Sequence, residues 1–176
     1  TRRHRTGVVS PSLRTYSRAI AVCRRAGDLK VALTLLGKVK DDGLVPDVYV
    51  YSAVIWTAAE VGNCDHARLV IREMQLAKIS PNIVTYNGLL SAYAAAGRFE
   101  DIILTFSKIQ GRMVATSTTF TIISRAARTL GDTAERCAFL EEIYRKMQPR
   151  DKHASKGGHL IECLVFALGS QGRFDE

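Results

Sequence analysis

Apolar residues recur along the chain at the spacing expected of amphipathic helices. Residues 51–61 carry one stripe, at i, i+1, i+4 and i+7, formed by Val54, Ile55, Ala58 and Val61. Residues 64–77 carry a second stripe, formed by Ala67, Val70, Ile71 and Met74. Gly62 lies between the stripes and predicts a left-handed residue that ends the first helix. Pro81 predicts the end of the second helix, because proline cannot continue a helix.

The same pair of helices repeats along the chain at a nearly constant interval. An aromatic residue near the start of each first helix recurs with steps of 35, 35 and 34 residues, at Tyr16, Tyr51, Tyr86 and Phe120. A glycine follows each first helix, at Gly27, Gly62, Gly97, Gly131 and Gly172. A third marker closes each unit, at Pro46-Asp47, Pro81-Asn82 and Ala115-Thr116. Three markers that keep one register indicate an internal repeat.

These repeats predict an all-α fold in which helix pairs stack into an α-solenoid, since one pair alone cannot bury both apolar faces. We expect four repeat units at residues 13–47, 48–82, 83–116 and 117–157. Residues 1–12 form a basic N-terminal segment and the end of a preceding unit, and residues 158–176 begin a fifth. The fourth unit departs from the pattern: its second helix, at about residues 134–147, is expected to run one turn longer, and an irregular polar loop follows. Both ends look cut from a longer array.

Positive charge is concentrated at the N-terminal end of the chain. The net charge is +8, from 25 basic and 17 acidic residues. The first 25 residues contain seven arginines and no acid, which leaves a net charge of +1 for the rest. Arg14, Arg18 and Arg25 share one face of a helix, and such a face favours a polyanion such as RNA or anionic lipid. For residues 1–6, a solvated terminus is an equal alternative.

The remaining chemistry of the sequence does not indicate an enzyme. The four cysteines and four histidines lack the spacing of a metal site or of a nucleophile with its base. No apolar run reaches the length of a membrane helix. We therefore expect no catalytic residue, metal, cofactor, small-molecule substrate or membrane insertion.

The markers resemble those of one known repeat family. Residues 83–90 read Ile-Val-Thr-Tyr-Asn-Gly-Leu-Leu, and residues 96–101 read Ala-Gly-Arg-Phe-Glu-Asp. Their order and spacing resemble the pentatricopeptide repeat family, and the resemblance extends over residues 7–176. The Trp, Leu-Gly and Tyr signature of tetratricopeptide repeats is absent. The resemblance implies a right-handed superhelix that acts in plastids or mitochondria and reads about one base of single-stranded RNA per unit.

The resemblance also implies which side chains would contact the RNA. The base-reading pairs would be Ser17 with Asp47, Ser52 with Asn82, and Asn87 with Thr116, while Thr121 would pair with a residue near Gly157. Residues at the base-stacking position would be Arg14, Tyr49, Val84 and Thr118. Unit one would then favour a purine, unit two adenine and unit three a pyrimidine. Arg18 and Arg25, with Arg14, would contact phosphates.

Two alternatives stay open at this point. Ser17, Ser52 and Thr121 are residue types common at helix N-caps, a role compatible with base reading. Helical solenoids also bind proteins, and the near-neutral charge after Arg25 fits a scaffold subunit of an organellar ribonucleoprotein such as a ribosome or polymerase. Three adjacent units with plausible polar pairs favour RNA binding over this scaffold hypothesis.

Overall fold

The computed structural model describes residues 11–130 and 133–149 of the chain. The eight helices in this part are α1 (Leu13–Ala26), α2 (Leu29–Asp41), α3 (Val48–Glu60), α4 (Cys64–Leu76), α5 (Ile83–Ala95), α6 (Phe99–Arg112), α7 (Ser117–Thr129) and α8 (Thr133–Lys146). No strand occurs in the described residues. The all-α prediction is confirmed, and the helices form four consecutive antiparallel pairs.

The two helices of each pair belong to different layers. The first helices α1, α3, α5 and α7 pack against one another in sequence. The second helices α2, α4, α6 and α8 lie behind them, each against its own first helix. The core between the layers is made of large side chains without solvent exposure, among them Tyr51, Phe106 and Phe120. The apolar stripes found in the sequence therefore form the core.

The glycines after the first helices have the predicted left-handed conformation. Gly27, Gly62 and Gly97 have φ values of 65°, 68° and 67°. The residue after each glycine donates its backbone N–H to a carbonyl in the last turn of the preceding helix, as Asn63 does to Ala58 over 2.9 Å. The first helix can therefore end sharply, and the chain turns back within two or three residues.

Two details of the predicted helices differ from the structure. Helix α4 ends at Leu76, within one residue of the predicted end near Ala77, but Pro81 is not what ends it: Lys78 takes the left-handed conformation with φ 60°, and Ile79 N–H bonds back to Met74 O over 3.0 Å. Helix α8 has 14 residues, as α6 has, so the extra turn expected in unit four is absent. The expected fifth unit, residues 1–10, Gly131, Gly157 and Gly172 lie outside the described residues.

Candidate nucleic-acid interface

The residue that closes each unit is the N-cap of the next first helix. Asp47 Oδ1 accepts from Tyr49 N–H at 3.0 Å and from Val50 N–H at 2.9 Å. The N-cap side chain of α5 is Asn82, and that of α7 is Thr116. An N-cap side chain is fixed by the backbone N–H groups it accepts from, so these three closing residues have defined positions between adjacent first helices.

The alternative cap assignment for the other reading residues is wrong. Ser17 Oγ donates to Leu13 O over 2.9 Å, and Thr121 Oγ1 donates to Ser117 O over 2.9 Å, both within a helix. Ser52 Oγ instead lies 2.8 Å from Thr85 Oγ1 on the next first helix. Each of these three residues is therefore the fifth residue of its helix, in the second turn after the cap.

Predicted contact residues of the first unit line one groove between α1 and α3. The groove encloses about 530 Å³, and its walls include Arg14, Ser17, Arg18, Asp47 and Tyr49. Tyr49 is 74% exposed, so its ring is available to a flat ligand. The structure thus brings together a predicted reading pair, two stacking residues and one phosphate-contacting residue.

The second reading pair is joined through a residue that the sequence did not single out. Ser52 is buried, and its hydroxyl meets that of Thr85, which also donates to Asn82 Oδ1 over 3.0 Å. Thr85 N–H donates to the same Asn82 oxygen at 3.0 Å. The stacking residue Val84 is 49% exposed beside this network. Ser52 and Asn82 therefore belong to one hydrogen-bonded group that connects units two and three.

The third reading pair is in direct contact. Asn87 Nδ2 donates to Thr116 Oγ1 over 3.3 Å, and Thr119 Oγ1 donates to Asn87 Oδ1 over 2.8 Å. Asn87 is only 4% exposed. A carboxamide has two N–H donors and two oxygen lone pairs, so one of each remains after these bonds. The side chain is held in one orientation and still has hydrogen-bonding capacity for a base edge.

The fourth unit places its predicted residues on the surface. Thr118 and Thr121 are both exposed on α7. The closing partner expected near Gly157 lies outside the described residues. Arg125, one turn further along α7, donates from Nη2 to Ser91 Oγ on α5 over 3.2 Å. This bond links the first helices of units three and four on the side that carries the reading positions.

Trp56 is a residue of this surface that the sequence reasoning missed. Its Nε1–H donates to Val84 O over 3.2 Å. The Arg24 guanidinium lies 4.9 Å from the ring centroid, and Arg24 also pairs with Glu60 at 3.4 Å. A Cβ on Gly88 would lie 3.3 Å from the indole, so glycine permits this close packing. Trp56 lies one repeat, 35 residues, after Ala21, which lines the first groove. That repeat spacing was the sequence signal that could have placed Trp56 on this surface.

The arginines of α1 remain free to meet an anion. Arg14, Arg18 and Arg25 are exposed, and within residues 11–130 and 133–149 no carboxylate pairs with them. Their spacing of four and seven residues places them along one side of the helix. Arg14 and Arg18 both line the first groove. This side of α1 is therefore a cationic edge of the first-helix layer.

Two further features of the described residues concern metal ions and membranes. Residues 11–130 and 133–149 contain no group of three His, Cys, Asp or Glu side chains that could hold a metal ion. In the same part of the chain, no helix has the length and apolar character needed to cross a membrane.

Comparison with known families identifies this arrangement. The family model described as pentatricopeptide repeat domain matches residues 4–58 and 34–96. The model described as PPR repeat matches residues 84–114. These matches extend over more than half of the chain, so the chain belongs to the pentatricopeptide repeat family.

Individual relatives agree with the family assignment. The pentatricopeptide repeat-containing protein At5g48730, chloroplastic, of Arabidopsis thaliana is 28% identical over 134 residues, which cover 76% of this chain and 26% of the relative. The putative pentatricopeptide repeat-containing protein At3g11460, mitochondrial, of the same organism is 27% identical over 169 residues, which cover 96% of this chain and 26% of the relative. The chain thus spans about a quarter of the length of these relatives.

A solved structure shows the same fold. The crystal structure of the pentatricopeptide repeat protein PPR10 in complex with an 18-nt psaJ RNA element matches with a TM-score of 0.67 and 18% identity. The match covers 93% of this chain and 27% of PPR10. At this identity the likeness establishes the α-solenoid fold.

Proposed function

We propose that this chain is an RNA-binding segment of an organellar pentatricopeptide repeat protein. It binds single-stranded RNA along the layer of first helices, with about one base per unit. The protein acts in a plastid or a mitochondrion, in RNA processing, RNA stability or translation. Relatives named as chloroplastic and mitochondrial, and a fold shared with a protein solved in complex with RNA, support this proposal.

The observation that carries the proposal is the shared register of the polar pairs. In three adjacent units, the closing residue caps the next first helix and lies near a small polar side chain in the second turn of a first helix. The first groove adds an exposed aromatic ring and two arginines beside one such pair, Ser17 and Asp47. Hydrogen-bonding groups, a stacking surface and cations are the three components of single-strand recognition.

The residues have distinct roles in this proposal. The pairs Ser17–Asp47, Ser52–Asn82 and Asn87–Thr116 read successive bases, and Thr121 contributes to a fourth position. The base-stacking positions are occupied by Arg14, Tyr49, Val84 and Thr118, while Arg18 and Arg25 hold phosphates. The segment binds without performing catalysis and uses no cofactor, metal or small-molecule substrate.

The proposal is tested by the salt dependence of RNA binding. Replacing Arg14, Arg18 and Arg25 together with Ala is expected to weaken binding to every single-stranded RNA similarly. The slope of log affinity against log salt should become shallower by about two to three, because binding then neutralises three fewer phosphates and releases correspondingly fewer counterions. Fluorescence anisotropy of labelled single-stranded oligonucleotides over a salt series measures both effects.

A matched control has the same change in net charge. Lys30, Lys38 and Lys78 are exposed in or just after second helices, and replacing these three with Ala should leave the slope nearly unchanged. Equal slopes for the two triple variants would contradict RNA binding by the cationic edge of α1.

A scaffold subunit of an organellar ribonucleoprotein is the second candidate function. The net charge of +1 after Arg25 favours it, since most of the array lacks the excess of cations common in nucleic-acid-binding surfaces. If the chain is a scaffold alone, neither triple variant changes any measurable RNA affinity.

A further inference from the structure

A second groove lies on the side of the array formed by the second helices. Helices α4 and α6 form its two walls, α5 forms its floor, and it encloses about 740 Å³. On α5 the floor residues are Tyr86, Leu89 and Tyr93. At 100° per residue, they lie on the opposite side of α5 from Val84, Asn87 and Ser91. This α4–α6 groove is therefore separate from the surface proposed to bind RNA.

The walls of the α4–α6 groove carry four cations. Arg68 and Arg72 are spaced by four residues on α4, and Lys108 and Arg112 are spaced by four residues on α6. All four are exposed, and the ion pairs of the described residues include none of them. Asp65 is the acidic residue of the lining. The groove thus has an excess of positive charge that the described protein does not neutralise.

The tyrosines of units one and two that correspond to Tyr86 each donate a hydrogen bond to a carboxylate. Tyr16 donates its hydroxyl to Asp42 Oδ2 at 2.5 Å, and Tyr51 donates its hydroxyl to Glu73 Oε1 at 2.9 Å. Burial, together with the bond to Glu73, raises the pKa of Tyr51 to about 12, which keeps its hydroxyl a donor. Each tyrosine is therefore paired with a carboxylate of its own unit: Tyr16 with the C-cap residue of α2, and Tyr51 with a residue within α4.

The third unit has reversed the charge at both of these positions. Arg112 lies 70 residues after Asp42, and Lys108 lies 35 residues after Glu73, which are whole numbers of repeats. Tyr86 occupies the register of the two earlier tyrosines, and no hydrogen bond of its hydroxyl occurs among the described residues. Units one and two thus each supply one carboxylate to their tyrosine, from different positions, whereas unit three supplies a cation at both positions.

We propose that the α4–α6 groove binds an acidic amphipathic helix of a partner protein. Its carboxylates take the place of Asp42 and Glu73 and contact the Tyr86 hydroxyl, Lys108 and Arg112. Carboxylates four residues apart on a helix match the four-residue spacing of the cation pairs on both walls. The partner's apolar side covers Leu69, which is 60% exposed at the groove.

The floor of the groove favours a protein ligand over RNA. Tyr86 and Tyr93 are 8% and 5% exposed, so neither ring offers a face on which a base could stack. Leu69 on α4 is the apolar side chain of the lining that is largely exposed, and it suits aliphatic side chains. A cationic rim beside an exposed aliphatic side chain is complementary to a helix with one acidic and one apolar side.

The test uses the whole chain and a fluorescein-labelled helical peptide with Glu at i and i+4 and Leu on the adjoining side. A matched peptide has Gln in place of Glu. We expect anisotropy to show saturable binding of the Glu peptide and at least about tenfold weaker binding of the Gln peptide, because charge-assisted bonds are lost. Lys108→Glu introduces a carboxylate into the groove that Tyr86 lines, and it should lower the affinity for the Glu peptide by about tenfold or more.

Two controls separate the groove from general charge and from folding. Lys38→Glu makes the same charge change at the same register of unit one, and peptide affinity should stay within about twofold. Tyr86→Phe should lower the affinity for the Glu peptide about three- to tenfold. It should not lower thermal stability, because the Tyr86 hydroxyl makes no hydrogen bond among the described residues. Tyr51→Phe, which does lose Glu73, should lower thermal stability without changing peptide affinity.

Three outcomes would overturn the proposal. Equal binding of the Glu and Gln peptides would show that carboxylates do not contribute to recognition. Equal effects of Lys38→Glu and Lys108→Glu would show that the peptide does not bind in the α4–α6 groove. Competition by single-stranded RNA, with loss of RNA binding in Lys108→Glu, would make the groove a nucleic-acid site. The salt-slope experiment on α1 is independent of all three, so this proposal and RNA binding by the first helices can fail separately.

Discussion

The side-chain amide of Asn87 in α5 donates a hydrogen bond to the hydroxyl of Thr116 at the cap of α7. These two residues are 29 positions apart in the sequence and occupy the two reading positions of unit three. Thr119 fixes the other end of the amide through its hydroxyl. A side chain held at both ends is pre-organised, so a base that meets it encounters a fixed donor and acceptor pattern.

Asn87→Thr is expected to shift the preference at one RNA position from pyrimidine toward purine. A hydroxyl replaces an amide, and the donor and acceptor pattern offered to the base edge changes. The expected change is about 1–3 kcal/mol, the usual value of a good side-chain contact to a base. Anisotropy on single-stranded oligonucleotides that differ at that position alone measures it.

The control for Asn87→Thr is a set of oligonucleotides changed at a neighbouring position, where the preference should stay the same. Circular dichroism must show that the helix content is retained, since Asn87 also bonds Thr119. An unchanged preference in a folded variant would exclude base reading by unit three and favour the scaffold function.

Tyr49→Ala is expected to weaken single-stranded RNA binding by about 1–3 kcal/mol, the range measured for one stacked base. Tyr49 is largely exposed beside the first groove, so the substitution removes a stacking surface with little effect on the core. Tyr49→Phe keeps the ring and should bind RNA almost as the unchanged chain does. If both variants bind equally, the ring does not stack on a base.

The sequence predicts the helix pairs well because their signals are local. A glycine with a left-handed backbone ends α3, and a polar closing residue caps α5, and both are visible as Gly62 and Asn82 in the repeat register. The end of α4 was also predicted to within one residue, near Ala77, but its cause was not. Lys78 takes a left-handed conformation that lysine rarely adopts, so the sequence pointed instead to Pro81 as the residue that ends the helix.

The interface was predicted less completely because its contacts join residues of different units. The reading pair of unit three is in contact as the register implies, but Thr85 and Thr119 enter these networks through hydrogen bonds across 33 and 32 positions. Trp56 reaches Val84 over 28 positions. A helical pattern identifies the side of a helix on which a residue lies, and it does not identify the partner on the next helix.

Trp56→Phe is expected to lower the free energy of unfolding by about 0.5–1.5 kcal/mol, the typical net value of one hydrogen bond. The phenyl ring keeps part of the contact with Gly88 but cannot donate to Val84 O. Urea unfolding followed by circular dichroism measures the change. Arg24→Ala is the comparison variant, since it removes the cation over the ring and leaves that hydrogen bond in place. If Trp56→Phe unfolds at the same urea concentration as the unchanged chain, the indole does not help to hold α3 against α5.

Gly62→Val is expected to lower the free energy of unfolding by at least about 1–2 kcal/mol, because a β-branched residue is strained in the left-handed region. Gly62 has φ 68° and sits where α3 turns into α4. Gly37→Val is the matched control: Gly37 lies within α2, and a Cβ there would meet nothing within 4 Å. That control should change stability by no more than about 0.5 kcal/mol, since valine and glycine differ modestly in helix propensity. Urea unfolding of both variants compares the same chemical change in two backbone conformations. Equal midpoints for the two variants would mean that the left-handed glycine after α3 is not needed to end that helix.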